Sequence, residues 1–235
     1  MDRPFTDEAR ATLREREAAA LGRRYDPRLH LVGATGIAVA VAVAAALGLD
    51  RVSGAEWLVV PVTYILANAA EWRIHRDLLH RRVRGFEWLY ERHTLMHHRV
   101  FVAWDLDVRS AREWGLVLMP PLAVVLLCLA TVPVALGIAA LGQPDAARLF
   151  AITGVGYVVS YEWLHLAYHQ PPSTAVGRLS VVRWLRRHHQ VHHHPAQMGT
   201  RNFNVTVPLW DHVRSTVAPR GATGTSVAPA RRERG

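Results

Sequence analysis

The chain has 235 residues, of which 50% are hydrophobic and 20% are charged, and its formal net charge is +9. This length and composition fit one domain and exclude a disordered or fibrous chain. The single cysteine, Cys128, excludes a disulfide framework and a cysteine-rich zinc module. Two other counts carry more information, namely 28 Lys and Arg residues and 14 His residues.

The first 28 residues are hydrophilic and are expected to form a cytoplasmic N-terminal helix and tail. Thr6, followed by Asp7 and Glu8, is typical of a helix N-cap with favourable charges in the first turn. The mixed Glu/Arg sequence ends at Gly22, which suits the C′ position. We expect a solvated or membrane-surface helix here. Because hydrophilic residues precede the first apolar run, no secretory signal peptide is expected.

Four apolar runs follow and are predicted to span a membrane. The first has the 20 residues that a helix needs to cross a hydrocarbon core. The second is short enough to fit a buried soluble helix equally well. The third contains Pro120, Pro121 and Pro133, so it could form one long kinked span or a short re-entrant pair. In chain order the runs are residues 30–49, 57–70, 114–141 and 149–161.

The basic residues predict how these spans are oriented. The linkers at 50–56 and 142–148 carry one arginine each, whereas the arginine-rich segments lie beyond the opposite ends of the spans. The positive-inside rule makes that second face cytoplasmic. The net charge is therefore explained by topology and by affinity for anionic lipid headgroups, and no nucleic-acid partner is expected. An all-soluble protein remains the alternative, because two of the four runs are short.

The predicted fold is an all-α integral membrane protein with four transmembrane helices in two hairpins and a cytoplasmic helical cap. We expect a multi-pass protein of the inner or plasma membrane with both termini on the cytoplasmic side. The predicted division is an N-terminal helix and tail at 1–28, a single membrane-embedded domain at 29–217 and a tail at 218–235. The Pro, Gly, Ser, Thr and Arg composition of that tail is typical of disorder.

All histidines except His30 and His212, which are expected to be structural, fall in four clusters on the cytoplasmic face. A neutral imidazole is the commonest protein metal ligand and suits iron, zinc and copper. One tetrahedral zinc needs only four ligands, so two ions with about five ligands each account better for so many histidines. The clusters are His75 and His80; His93, His97 and His98; His165 and His169; and His188, His189, His192, His193 and His194.

Helical spacing predicts which of these imidazoles can converge. Residues four apart lie about 40° apart around an α-helix, and residues three apart lie about 60° apart. His97 and His98 lie about 100° apart, so adjacent histidines could serve different ions. His75 and His80 lie about 140° apart, so the helix must end, unwind or tilt near His80 if both bind. The pairs expected to share a face are His93/His97, His165/His169 and His189/His193, and His192 can still converge with His189.

The clusters resemble the histidine boxes of the membrane-bound fatty acid hydroxylase/sterol desaturase superfamily, which hold a non-haem diiron centre. The resemblance covers roughly residues 55–216. There are two departures from the fatty acid 2-hydroxylase pattern: three residues instead of two separate His93 from the His97-His98 pair, and Asn204 stands where that pattern has glycine. The segments that match in order and spacing are His75-x4-His80, His165-x3-His169, His189-x2-His192-His193, Asn202-Phe-Asn-Val-Thr206 and Pro208-Leu-Trp-Asp211.

The resemblance implies a ligand set and residues that support it. Metal-bound histidines usually donate their second ring N–H to a carboxylate or a carbonyl. The candidate carboxylates are Glu71, Glu162, Asp105, Asp107 and Asp211. For the three aspartates, ordinary loop or capping roles are equally open. His188 and His194 do not occupy ligand positions and are expected to support the ligands or lie at the surface. The implied metal ligands are His75, His80, His93, His97, His98, His165, His169, His189, His192 and His193.

The resemblance also implies an activity, an O2-dependent diiron oxygenase that hydroxylates a C–H bond of a lipid, such as a fatty acyl chain. It implies two iron ions, which zinc could replace in purified protein, and O2 as co-substrate. No cytochrome b5-like domain precedes the membrane region, so a separate ferredoxin or cytochrome with its reductase is expected to donate electrons. The alternatives are a lipid desaturase or a sterol, carotenoid or alkyl-chain oxygenase of the same superfamily. A membrane metal transporter is the alternative from another class, but it would call for ionisable ligands near the membrane midplane.

Overall fold

The structure is a computed structural model that describes residues 6–219. These residues are helical apart from connecting turns and loops and contain no strand, which confirms the all-α prediction for this part of the chain. The α-helices are α1 Asp7–Ala20, α2 Pro27–Leu47, α3 Val59–Ile74, α4 Glu87–Tyr90, α5 His98–Val100, α6 Trp114–Val117, α7 Pro121–Ala140, α8 Pro144–Tyr168, α9 Ser180–His192 and α10 Leu209–Val213. Two π-helical segments, His75–Leu79 and Glu91–His97, and two 3-10 turns, Glu56–Leu58 and Ala111–Glu113, complete the set.

Helix α1 begins where the sequence predicts, whereas α2 begins at Pro27, three residues before the predicted apolar run. The Thr6 hydroxyl accepts the N–H of Ala9 at 3.2 Å, and Gly22 follows the helix with a φ of 75°. A non-glycine side chain is strained in that left-handed conformation, which explains the glycine. The Asp26 carboxylate caps α2 by accepting the N–H of Arg28 at 2.8 Å, and a proline occupies the first turn.

Helices α2 and α7 are the two described helices whose length and composition would allow them to cross a membrane. Only 17% of the apolar window of each is buried, whereas the core helix of a soluble protein would be mostly buried. Such a continuous apolar surface is typical of lipid contact. Their exposed large side chains are Leu29, Val32, Ile37, Val39, Val41, Val43 and Leu47 of α2, and Leu122, Leu126, Leu129, Val132, Val134 and Leu136 of α7.

The other two predicted spans correspond to α3 and α8. Helix α8 lies at the centre of the helical bundle, where it packs against α2, α3 and α7. Whether these four helices cross the membrane stays a prediction, as do the two-hairpin topology and the division at residues 28 and 217. The predicted disordered tail, 218–235, lies outside the described residues from residue 220 onward.

The proline-containing run 114–141 adopts neither of the two arrangements expected for it. The run divides at Pro120, which is extended (φ −53°, ψ 138°). Pro120 directly precedes Pro121, and a proline sterically disfavours the helical conformation of the residue before it. The short helix α6 lies on one side of this break, and Pro121 begins the single long helix α7 on the other. Pro133 lies inside α7 without ending it, as occurs in membrane helices.

Helix α1 differs from the solvated or membrane-surface helix that the sequence predicts. Arg10 and Arg14 are buried, with 8% and 2% of their surfaces exposed. Arg10 faces Asp105 and Arg14 faces Glu113, so α1 packs against the body of the protein through charged side chains. The hydrophobic pattern of the sequence does not reveal burial of α1, because buried arginines form the contact.

Candidate metal centre

The ten histidines implied as ligands lie together at one end of α3 and α8, in two groups of five. Within each group the candidate ligand nitrogens all lie within 4.8 Å of one another. Nine of the ten side chains are buried, and His80 is half-buried. Group A consists of His75, His80, His93, His98 and His192, and group B consists of His97, His165, His169, His189 and His193.

The π-helical segments explain how histidines five residues apart can share a group. In a π-helix the hydrogen bonds run from residue i to i+5, so residues five apart lie above one another. The rings of His75 and His80 stack with centroids 5.1 Å apart across the first segment. The Nε2 atoms of His93 and His98 are 3.0 Å apart across the second. The helix does change its winding before His80, as predicted. The second π turn accommodates the three residues between His93 and His97, the spacing that departs from the 2-hydroxylase pattern.

Spacing alone does not assign the histidines to their groups. His165/His169 and His189/His193 each share group B, and His97 and His98 separate into different groups, as expected. His93 and His97 were expected to share a face, but the π turn carries His93 into group A. His192 likewise belongs to group A, although His189, three residues earlier, belongs to group B. Helix α9 therefore lies between the two groups and contributes to both.

Backbone carbonyls orient five of the ten imidazoles. In each case Nδ1 lies within hydrogen-bond distance of a carbonyl oxygen, which can only accept. Nδ1 must therefore carry the proton, which leaves Nε2 with a lone pair. The pairs are His75 with Phe203, His97 with Leu116 (3.0 Å), His169 with Leu106 (2.7 Å), His192 with Arg201 (2.9 Å) and His193 with Phe101 (2.7 Å).

His80 also carries its proton on Nδ1. Its Nδ1 lies 3.0 Å from the hydroxyl of Thr94, and that hydroxyl donates its proton to the Leu79 carbonyl at 2.6 Å. His80 therefore donates through Nδ1, and its Nε2 also has a lone pair. Yet Nε2 of His80 lies 3.0 Å from Nε2 of His192, whose Nδ1 donates to a carbonyl as well. Two buried lone pairs facing each other at this distance repel, and a cation between them removes the repulsion.

Other ring nitrogens of the ten histidines also lack a hydrogen-bond partner. Nε2 of His97 and both ring nitrogens of His165 are buried without a hydrogen-bond partner among the described residues. Burial lowers the pKa of His75 to about 4 and that of His97 to about 3, so both rings are neutral near pH 7. The neutral ring is the form that binds a metal ion. The residues present therefore fit two cations that accept imidazole nitrogen.

The carboxylates proposed to support the ligands act on the backbone instead. Asp211 accepts the N–H groups of Phe203 at 3.0 Å and Asn204 at 2.8 Å. Glu71 accepts the N–H groups of Val205 and Thr206 and the Thr206 hydroxyl. Both carboxylates thereby fix residues 203–206, whose first carbonyl orients His75.

The other candidates lie further from the imidazoles. Glu162 accepts the N–H of Met119 at 3.2 Å, and Asp105 and Asp107 form ion pairs with arginines. Within residues 6–219 none of these carboxylates forms a hydrogen bond to any of the ten histidines.

The remaining histidines form contacts of other kinds. His188 contacts the Asp211 carboxylate at 3.0 Å, and whether it supports the ligands stays a prediction. His194 forms a local contact with the N–H of Ala196, and His212 is exposed. His30 contacts the Tyr25 hydroxyl and the Met119 carbonyl, both at 2.9 Å, which fits the structural role predicted for it.

Among the buried residues of this network that the sequence did not predict is Asn68. Its side-chain amide donates to the Val207 carbonyl at 2.8 Å and accepts the N–H of Trp210 at 2.9 Å. The backbone carbonyl of Asn68 accepts a hydrogen bond from the Asn204 side-chain amide at 2.9 Å. Asn68 thereby ties α3 to the segment that orients His75. An amide side chain inside an otherwise apolar run was the available signal.

Of the comparisons with known proteins, the one with family models finds a match. A family model described as fatty acid hydroxylase matches residues 60–216, about two thirds of the chain. No curated protein and no solved structure matches the chain. The matched residues include all ten histidines, both π-helical segments and the segment around Asp211. The chain belongs to the fatty acid hydroxylase family, within the fatty acid hydroxylase/sterol desaturase superfamily.

Proposed function

We propose that the protein is an O2-dependent diiron oxygenase that hydroxylates a C–H bond of a lipid, either a fatty acyl chain or a related lipid. Two groups of five histidines, each with nitrogens within 4.8 Å of one another, are the observation that carries this proposal. Family membership supports an oxidoreductase of the hydroxylase type. Two bound iron ions would supply the oxidising power for cleavage of an unactivated C–H bond, which side chains lack.

The chain's own residues hold, orient and shield this centre. Group A and group B each provide five neutral nitrogens, a number suited to one ion each with room for another ligand. Carbonyls of residues 101–116 and 201–203 fix the ring orientations, so little reorganisation is needed when the ions bind. Burial of nine rings excludes water from most of the site.

The membrane part of the proposal is a four-span topology. Helices α2 and α3 would form one hairpin and α7 and α8 the other, with the histidines and both termini on the cytoplasmic side. The apolar surfaces of α2 and α7 support membrane embedding. A lipid chain would reach the centre from the bilayer. A separate ferredoxin or cytochrome with its reductase would donate electrons from the aqueous side.

Metal analysis combined with product analysis tests the activity. Protein purified in nanodiscs is expected to bind about two iron ions per chain. Supplied with O2 and a reducing system, it should yield lipid products heavier by one oxygen atom. His192→Ala in group A and His97→Ala in group B should each remove one ion and the activity. The control His212→Ala changes an exposed histidine outside both groups and should do neither. Metal-free wild type, or active His97→Ala and His192→Ala variants, would refute the proposal, whereas products lighter by two hydrogens would assign desaturation.

Cysteine accessibility tests the topology independently. In a Cys128→Ser background, Ser53→Cys probes the exposed α2–α3 linker, and Arg84→Cys probes an exposed loop near the histidines. A membrane-impermeant thiol reagent added to intact cells should label position 53 and leave position 84 unlabelled until the membrane is opened. The reverse pattern would place the histidines outside the cytoplasm.

A further inference from the structure

One segment of the chain, residues 101–118, orients most of group B. The Phe101 carbonyl faces Nδ1 of His193 at 2.7 Å, and the Leu106 carbonyl faces that of His169 at the same distance. The Leu116 carbonyl lies 3.0 Å from Nδ1 of His97. Three of the five group B rings therefore depend on where this segment lies. The carbonyls that orient group A rings come from residues 201 and 203 instead.

A single arginine of α1 contacts this segment at four places. Nε and Nη2 of Arg14 form a bidentate pair with the Glu113 carboxylate at 3.1 and 2.8 Å. Nη1 reaches Asp105 at 3.4 Å, and Nη2 also donates to the Asp107 carbonyl. The guanidinium lies 5.0 Å from the ring centroid of Phe101. Because only 3% of the Arg14 side chain is exposed, solvent does not screen these contacts.

Further contacts attach α1 to the same segment. Arg10 Nε lies 3.6 Å from the Asp105 carboxylate. In the opposite direction, Arg112 donates to the carbonyls of Ala18 at 2.9 Å and Gly22 at 2.5 Å. Leu13, Ala18 and Leu21 pack against the hydrophobic cluster that contains Phe101, Leu106 and Leu116. Helix α1 and residues 101–118 thus form one packed unit, although α1 lies outside the residues that the family model matches.

We propose that Arg14 is a positioning residue for group B. It holds the 101–118 segment where the carbonyls of residues 101, 106 and 116 orient three imidazoles. Its effect is confined to group B, since the carbonyls that orient group A belong to another segment. This inference rests on the proposed metal-binding function. It gives α1 a role in the centre that neither its sequence nor the family match assigns.

Metal stoichiometry tests the proposal in the full-length protein in nanodiscs. Metal-free protein is titrated with ferrous iron under anaerobic conditions, and bound iron is measured per chain. Arg14→Met is expected to weaken binding of one ion by about 10–100-fold, the usual effect of removing a residue that supports a ligand. The matched control is Arg16→Met on the same helix, because Arg16 is 72% exposed and pairs with Glu17. It should bind as the wild type does.

Double variants identify which ion is affected. His98→Ala disables group A, so its combination with Arg14→Met should leave no tightly bound iron. His97→Ala disables group B, so its combination with Arg14→Met should bind the same single ion as His97→Ala alone. A general loss of folding would weaken both groups, whereas the proposal predicts a loss from group B alone. Arg14→Lys, which keeps the charge but not the bidentate geometry, should recover part of the affinity.

The outcomes separate this inference from the proposed function. If the wild type binds no iron, the proposed function fails and this inference falls with it. If the wild type binds two ions and Arg14→Met binds both with unchanged affinity, or loses both equally, only this inference fails. Should Arg14→Met not fold, Glu113→Gln decides, because it weakens the same contact from the other side while Asp105 remains as an anionic partner for Arg14. It must weaken group B selectively, and equal effects on both groups, or none, would overturn the proposal.

Discussion

Replacing Asp211 by asparagine is expected to destabilise the protein by about 2–4 kcal/mol and to weaken metal binding by group A. The Asp211 carboxylate is fully buried. One of its oxygens accepts the Phe203 N–H and the Thr216 hydroxyl, and the other accepts the Asn204 N–H and contacts His188. Burial favours the neutral acid, but the His188, Thr216 and Asn204 hydrogen bonds outweigh it and lower the pKa of Asp211.

The magnitude follows from what asparagine can still accept. Its amide keeps one acceptor oxygen, so in either orientation one buried backbone N–H and one side-chain donor face an NH2 group. A buried donor left without a partner costs about 1–3 kcal/mol. The side-chain donor can turn away, so its lost hydrogen bond adds only about 1 kcal/mol, and the total is about 2–4 kcal/mol. For a chain of this size each kcal/mol lowers the melting temperature by about 2–4 °C.

Two measurements check this prediction. Thermal unfolding in nanodiscs should show a melting temperature lower by about 4–16 °C. An iron titration should show weaker binding of one ion, and His98→Ala should abolish that difference because it removes group A. The control Asp7→Asn changes a carboxylate whose side chain is 84% exposed and should shift the melting temperature only slightly. A melting temperature within about 1 °C of the wild type, or weaker binding by group B, would refute the argument.

Three further predictions follow from buried or membrane-facing residues. Asn204→Gly introduces the residue found in the 2-hydroxylase pattern, yet it should destabilise the protein by about 2 kcal/mol, because the hydrogen bonds of Asn204 to Asn68 and Asp211 are lost. Denaturant unfolding measures this loss, and a stabilised variant would contradict the prediction. Asn68→Leu leaves the Trp210 N–H without its acceptor and should cost about 1–3 kcal/mol in the same assay, whereas an unchanged midpoint would show that the bond contributes nothing. Val39→Asp places a charge on the exposed face of α2 and should raise the free energy of membrane insertion by about 2.5–3.5 kcal/mol. A glycosylation reporter of insertion measures this, with Val39→Leu as the control. Equal insertion of the two variants would argue against α2 as a membrane span.

The histidines show how much of the centre the sequence can predict. All ten implied ligands lie within the two groups, because imidazoles recurring near helical spacing at one end of the apolar runs have few other roles. Their division between groups could be predicted only in part, because ideal α-helical angles do not hold where the chain forms π turns. His93 shows the error most clearly, since a π turn separates it from His97.

The supports of the ligands were hidden for a different reason. Carboxylates can be found in a sequence, and several were therefore proposed as partners of the imidazoles. Backbone carbonyls such as those of Phe101 and Phe203 occur at every residue, so no residue type marks them. The same holds for Arg14 and Glu113, because they are 99 residues apart and only the fold brings them together.

The two π-helical turns also determine which kinds of sequence change the centre can tolerate. Each turn contains one residue more than an α-helical turn would need, and the five-residue spacings His75–His80 and His93–His98 depend on it. Deleting a single residue from either turn would rotate the histidine that follows it by about 100°. Apart from Thr94, which orients His80, substitutions between the ligands are therefore compatible with the geometry, whereas one-residue insertions and deletions are not. In genetic terms, the length of these segments should be under stronger constraint than the identity of the residues between the histidines.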